Sequence, residues 1–280
     1  MNQRWEVTPR YPGAMATMGE VWQYRRLLRF IGDRAVRKQY RKTVLGWLWL
    51  FINPLFPIVL RAIIFGALLG VGSNGLPYFL FLLAGTVIWD AFATSVMWGT
   101  RALEMNRDLT SQIYHPRAIL TVGNMTPAFL TLGLKIGVFA AALVFYALRD
   151  GRNYLRGDVS MLWALAALAL AFLCALALSL FTSIWGERVR DIRFGLGQLL
   201  SVWYLLTPVL YPLSQVPAEY RGWMLFNPLA IILETFKWGL FGVGEFYPEA
   251  LGGTAVAVVL LLTGGLMYFV RTEARTIAER

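Results

Sequence analysis

Long apolar runs alternate with short basic segments along most of the chain. A bilayer core about 30 Å thick takes roughly 20 apolar residues in a helix. Six runs meet that length: residues 47–71, 77–100, 118–148, 159–185, 194–213 and 250–270. A seventh stretch, residues 225–243, is less apolar, carries Glu234 and Lys237, and has the Asn227-Pro228 breaker near its start. It is expected to be a broken or re-entrant segment, with a full span as the rival.

Two further patterns stand out. Within residues 20–44, Val21, Tyr24, Leu28, Ile31 and Ala35 recur at three- and four-residue steps and share one helical face, while Arg25, Arg26, Arg29, Arg37 and Arg41 lie mainly on the other. This predicts an amphipathic cytoplasmic helix in the membrane interface, its basic face toward lipid headgroups or a partner. Near the other end, Pro208, Pro212 and Pro217 deny a regular helix, and Gly239, Gly242 and Gly244 close the seventh stretch. Irregular backbone at membrane depth is tolerable only inside protein or along a wet cavity. Residues 214–244 are therefore expected to form an external helical hairpin that dips back into the outer leaflet as a gate.

Composition agrees with a membrane protein. The chain is 58% hydrophobic with a mean hydropathy of +0.56 and only 15% charged residues, against about a quarter charged in soluble proteins. The net charge of +10 sits between the apolar runs, so it reads as topology and not as a nucleic-acid surface. With six spans and the N-terminus inside, ten basic residues precede Trp47. Arg101, Arg107, Arg117, Arg188, Arg190, Arg193, Arg271, Arg275 and Arg280 also fall inside. Only Arg149, Arg152, Arg156, Arg221 and Lys237 fall outside. A seventh span would put the basic C-terminal segment outside, against the positive-inside bias. The expected fold is an all-α integral membrane protein. Its six transmembrane helices (45–271) lie between an N-terminal tail (1–19), the amphipathic helix and a cytoplasmic tail (272–280).

Candidate chemistry is sparse. Cys174 stands alone, so no internal disulfide forms, and the single His115 cannot build a histidine metal cluster. No cleavable signal peptide is expected, for want of a separate apolar core and cleavage site near the start. No G-x-x-x-x-G-K-[ST] loop occurs, so nucleotide phosphates are not cradled here by that route. Charges inside spans are costly and point to function or to structural pairing: Arg61, Lys135 and, as a possible partner, Asp90. Of the eleven tryptophans, Trp47, Trp49, Trp163 and Trp185 sit at span ends as interfacial anchors.

Three motifs in register carry a resemblance. They are YRKTVLGWLWLFINPLF at 40–56, IYHPRAIL at 113–120, and RDIRFGLGQLLSVWYLLTPVLYPLSQVP at 190–217 followed by the NPL of 227–229. Together they resemble the ABC-2 permeases, most of all the branch exporting O-antigen, capsule, teichoic acid and related polysaccharides. The resemblance spans about residues 37–271. It implies a permease that homodimerises in the cytoplasmic (inner) membrane and recruits two copies of a separate ATPase subunit. No cofactor is then expected on this chain, with ATP and Mg on the partner, and the chain is not itself an enzyme.

The implied cargo is a polysaccharide on a polyprenyl diphosphate lipid. The implied coupling loop is residues 101–117, with Glu104, Asn106, Arg107, Asp108, Leu109 and Ile113 as contacts, joined by Arg37, Lys38, Arg41 and Lys42 of the amphipathic helix. A solvated loop kept basic for topology is the plainer reading of the same segment. Tyr78, Trp89, Phe92, Trp98, Trp203 and Tyr204 are candidates for an aromatic-lined conduit. Arg188, Arg190 and Arg193 suit the lipid diphosphate at the entrance, because guanidinium forks match phosphate geometry. The rivals are a small-molecule or drug exporter of the same family and, from another class, a secondary transporter or membrane-embedded enzyme. Few paired carboxylates and no His/Cys constellation speak against the latter two.

Overall fold

The computed structural model describes residues 24–40, 45–112 and 118–278. The tail 1–19, Arg41, Lys42, Ile113, His115 and Arg117 lie outside the described residues. The described chain is all helical, without a strand. In order it runs through α1 (Arg25–Tyr40), α2 (Trp49–Arg61), α3 (Tyr78–Thr100), α4 (Ala102–Met105), α5 (Arg107–Gln112) and α6 (Ala118–Asn124). Then follow α7 (Thr126–Asp150), α8 (Met161–Arg188), α9 (Arg190–Leu205), α10 (Ala218–Met224), α11 (Pro228–Phe241) and α12 (Pro248–Ala278). A short 3-10 turn opens α2, and a π-helical stretch, Ala62–Leu68, extends it.

Five helical stretches are long and apolar enough to cross a membrane: Trp49–Leu68, Tyr78–Thr100, Ala118–Asp150, Met161–Arg188 and Pro248–Thr272. They match five of the six expected runs. The sixth, residues 194–213, differs. Its helix is α9, which begins at Arg190 and stops at Leu205 after 16 residues, about 24 Å at 1.5 Å per residue. Pro208 has no N–H to continue the ladder and disfavours the helical conformation at Thr207, so the chain runs on irregularly through Pro212.

The break leaves carbonyls outside the helical ladder, and side chains from elsewhere meet them. The Tyr211 hydroxyl donates to Leu205 O (3.1 Å). Asn227 Nδ2 donates to Leu206 O (3.5 Å), Lys237 Nζ to Pro208 O (2.8 Å) and the Tyr78 hydroxyl to Leu210 O (2.7 Å). Lys237 therefore serves the break. It is fully buried over the Phe81 ring, with Glu234 3.9 Å away.

The expected hairpin is present. α10 and α11 meet at a 100° bend, and Asn227 caps α11 by accepting from Leu229 N (3.1 Å). Its second arm is not superficial, however: α11 is buried against α3 and α8. Burial is possible because α8 presents small residues, Ala164, Ala167 and Ala171, which let backbones approach closely. α3 is apolar on every side, as a helix surrounded by protein must be, and 78% of its most apolar window is buried, against 6% for Trp49–Leu68.

The amphipathic helix is present, and its apolar face has a definite neighbour. Ile31 and Ala35 are buried and Tyr24 and Leu28 pack beside them on Ile119 and Leu120 of α6, so the chain itself covers that face. α1, α4–α6 and the α8–α9 junction gather at one end of the bundle, the basic end. The loops after Leu68, Asp150 and Leu205 gather at the other, where Arg156 N bonds Leu240 O (2.8 Å) and Ser214 bonds Asn74 (2.9 Å).

A Cβ on Gly239 would stand 2.8 Å from Ala164 N and 2.9 Å from Ser160 O, both backbone. Gly239→Ala is therefore expected to destabilise by about 1–3 kcal/mol in thermal unfolding of the detergent-purified protein. Gly252→Ala, with nothing within 4 Å, is expected to leave the transition in place.

Candidate functional site

The in-span charges are placed first by pairing. Lys135, on α7, is 1% exposed and forms an ion pair with Asp90 of α3, donating also to Thr86 O (3.3 Å). Asp90 itself opens onto a cavity of about 610 Å³ between α2, α3 and α9. Arg61 stands on the same wall with its guanidinium 4.5 Å above the Tyr204 ring, a cation–π contact.

The aromatic candidates separate into three groups. Trp89, Trp98 and Tyr204 line the cavity. Phe92 and Trp203 back it instead: Trp89 meets Tyr204 edge-on at 5.3 Å and Trp203 at 6.5 Å, and Phe92 meets Trp203 at 5.4 Å. Phe92 has no exposed surface and does not reach the cavity. Tyr78 lines a separate cavity of about 600 Å³ with Tyr146, Arg149 and Asp150.

Trp203 links this wall to the hairpin. Its Nε1 donates to Asn227 Oδ1 (3.0 Å), and Asn227 Nδ2 donates to Thr207 Oγ1 (3.0 Å). One amide thus caps α11, holds the end of α9 and fixes an indole behind the cavity. The Asn227-Pro228 pair read in sequence only as a breaker; its reach to Trp203 needed the fold.

At the basic end the α4–α5 segment is tied on several sides. Arg34 of α1 binds Asp108 (2.5 Å), and Lys38 donates to Met105 O (2.8 Å). Arg193 of α9 binds Glu104 (2.5 Å), and Arg107 reaches Glu187 O (2.9 Å). Asn106 is buried, donating to Ala102 O (2.8 Å) and Asn124 Oδ1 (3.3 Å). The hydrogen bond from Arg34 holds the Asp108 carboxyl below its usual range, and burial, then Arg34's charge, lowers Lys38.

Among the sequence candidates, Arg37 is exposed and Leu109 half-buried against the α1 cluster. Glu104 faces Arg193, so Arg193 turns inward with 13% of its side chain exposed, while Arg188 and Arg190 remain exposed. Arg34, absent from the sequence candidates, is the residue that joins α1 to α5.

The ABC-2 type transporter family model matches residues 26–241, which takes in the ion-paired helix ends at the basic end (the collar), the cavity and the hairpin. The chain belongs to the ABC-2 type transporter family. Members are membrane subunits of transporters, distinct from the ATPase. This ABC-2 chain is similar to the O-antigen export system permease protein RfbA of Myxococcus xanthus. The two are 27% identical over 263 residues, 91% of this chain and 95% of that protein. A Klebsiella pneumoniae protein of the same name is 24% identical over 89% of this chain and 93% of its own length. The polysialic acid transport protein KpsM of Escherichia coli is 22% identical over 86% and 92%.

Two outcomes follow for thermal unfolding. Asn227→Ala removes a cap and orphans the Trp203 N–H, and is expected to cost about 1–3 kcal/mol, whereas Asn227→Asp keeps both acceptor contacts and costs less. Asp108→Asn is expected to cost under about 1 kcal/mol because the pair is surface-exposed. Since the folded carboxyl is depressed, its stabilisation is complete above the ordinary aspartate value near ~3.9. The difference between Asp108→Asn and the parent should then close as pH falls through the folded value.

Proposed function

We propose that this chain is the permease subunit of an ABC exporter that moves a polyprenyl-diphosphate-linked polysaccharide across the cytoplasmic membrane. The observation that carries this reading is the cavity at the middle of the bundle, walled by Trp89, Trp98 and Tyr204 and edged by Arg61 and Asp90. Aromatic planes meet the apolar C–H faces of sugar rings without fixing them by strong directional bonds, which suits a polymer that must slide. Similarity over most of the chain to permeases named for O-antigen export and polysialic acid transport supports the same cargo class.

The basic end faces the cytoplasm in this reading, with both termini there, in keeping with the positive-inside bias. The α4–α5 segment and the basic side of α1 dock two copies of a separate ATPase subunit, which carries ATP and Mg. Arg37, Lys38 and Leu109 stand at that surface, with Ile113, Arg41 and Lys42 as further contacts from the sequence. Arg34–Asp108 and Arg193–Glu104 hold the segment in place so that a push on it reaches α9. A homodimer is the working unit: the cavity is open, and Trp49–Leu68, which helps wall it, is only 6% buried. Arg188 and Arg190 stand where a lipid diphosphate would approach. The α10–α11 hairpin gates the outer side.

Leu109→Asp tests the docking surface. Reconstituted with its ATPase in proteoliposomes, the variant is expected to lose glycan export by about tenfold or more, since a buried carboxylate costs at least the ~1.4 kcal/mol that a decade requires, while ATP hydrolysis no longer responds to cargo. Undiminished coupling would overturn the docking assignment. Full export by the permease without any ATPase would overturn the reading itself.

A further inference from the structure

Charge bookkeeping around the cavity leaves one cation over. Three ionisable side chains meet there: Arg61 and Asp90 on the wall, and Lys135 behind it. Lys135 is buried and spends its charge on Asp90, so the pair is neutral as a unit. Asp90 is the one carboxylate lining the cavity among the described residues. Arg61 is left with an aromatic face, the Tyr204 ring at 4.5 Å. A guanidinium within a span is costly unless it finds a partner or water, and stacking on a ring leaves its fork of N–H donors free to bind.

A second, independent observation lies beside it. Tyr204 is 7% exposed, and its hydroxyl, with the Arg61 side chain beside it, has no acceptor for its O–H among the described residues. Buried hydroxyls are satisfied in most proteins, and an unsatisfied one calls for an absent partner. The Tyr204 hydroxyl and the guanidinium of Arg61, which forms no ion pair among the described residues, together form the donor set that a phosphate or carboxylate takes. Because Asp90 is neutralised from behind by Lys135, it does not cancel the attraction.

We propose that Arg61 and the Tyr204 hydroxyl form an anion-recognition point in the cavity, engaging a phosphate or carboxylate group carried by the cargo. The inference rests on the export reading for the source of that anion, either the diphosphate of the lipid carrier or acidic sugars along the polymer. In either case the conduit has a step that reads charge, in addition to aromatic planes that do not.

The test uses the full-length protein in nanodiscs of neutral lipid, with binding followed by the shift in thermal unfolding. Farnesyl diphosphate is compared with farnesol, and a glucuronic acid trisaccharide with maltotriose. At least one anionic probe is expected to bind the parent better than its neutral counterpart. Arg61→Met should weaken it by about tenfold to a hundredfold, the worth of a charge-assisted bond. Arg61→Lys should retain part of the affinity, and Tyr204→Phe should lose severalfold. Should Arg61→Met fail to fold, the latter two variants carry the comparison.

Preference for farnesyl diphosphate assigns the lipid carrier; preference for the glucuronate assigns the polymer. Equal binding of anionic and neutral probes, or equal affinity in parent and variants, overturns the proposal. So does a dimer lost in Arg61→Met without any anion preference in the parent, which would give Arg61 a partner on the second copy. Export measured in parallel separates the two readings. Glycan export with no Arg61-dependent anion binding sinks the site alone, and Arg61-dependent binding without glycan export sinks the cargo assignment alone.

Discussion

The structure turns on a helix that stops short of a full membrane span. α9 ends at Leu205, and the irregular backbone after it has carbonyls outside any helical ladder. Four side chains bond those carbonyls, three from two distant parts of the chain and one nearby: Tyr78, Asn227, Lys237 and Tyr211. Each such bond has a modest net value, but an orphaned buried carbonyl costs about 1–3 kcal/mol. The hairpin supplies two of the four bonds, from Asn227 and Lys237, so seating it helps to hold the break. That role explains why α11 is buried, why it carries a lysine, and why α8 must be lined with small residues to admit it.

The same break shapes the site. Because α9 ends early, its last turn presents Tyr204 to the cavity and Trp203 to Asn227, and the hairpin touches the aromatic wall through a single amide. At its other end α9 begins with Arg193 bound to Glu104. One short helix thus runs from the collar at the basic end to the latch on the hairpin, with the cavity along its side. The α4–α5 segment is joined by a continuous path of ion pair, helix and hydrogen bond to both the cavity wall and the hairpin.

The charged residues divide by what surrounds them. Lys135 and Lys237 are buried and spent on structure, one on Asp90 and the other on Pro208. The collar arginines Arg34, Arg107 and Arg193 hold helix ends together at the basic end, Arg193 turned inward and Arg107 exposed. Arg61 alone among the described in-span cations meets the cavity with a ring for its neighbour, which is where the proposed anion contact would form.

Length and hydropathy alone determined the membrane class, five of the spans and the broken character of the seventh stretch, because bilayer thickness sets helix length and proline forbids its continuation. Glu234 and Lys237 marked that stretch as unusual, and Arg61, Lys135 and Asp90 were conspicuous because charge in hydrocarbon is rare. Which of them pair was not legible. Lys135 and Asp90 are 45 residues apart, and their meeting depends on how α3 and α7 rotate against each other. The same holds for Phe92 and Trp203, which one sequence cannot tell from cavity-lining aromatics, since an aromatic side chain is equally suited to a core and to a sugar-facing wall. The apolar face of α1 was read correctly as a face, yet only packing decided that α6 covers it. Local pattern determines what each segment needs; the tertiary structure decides which neighbour supplies it.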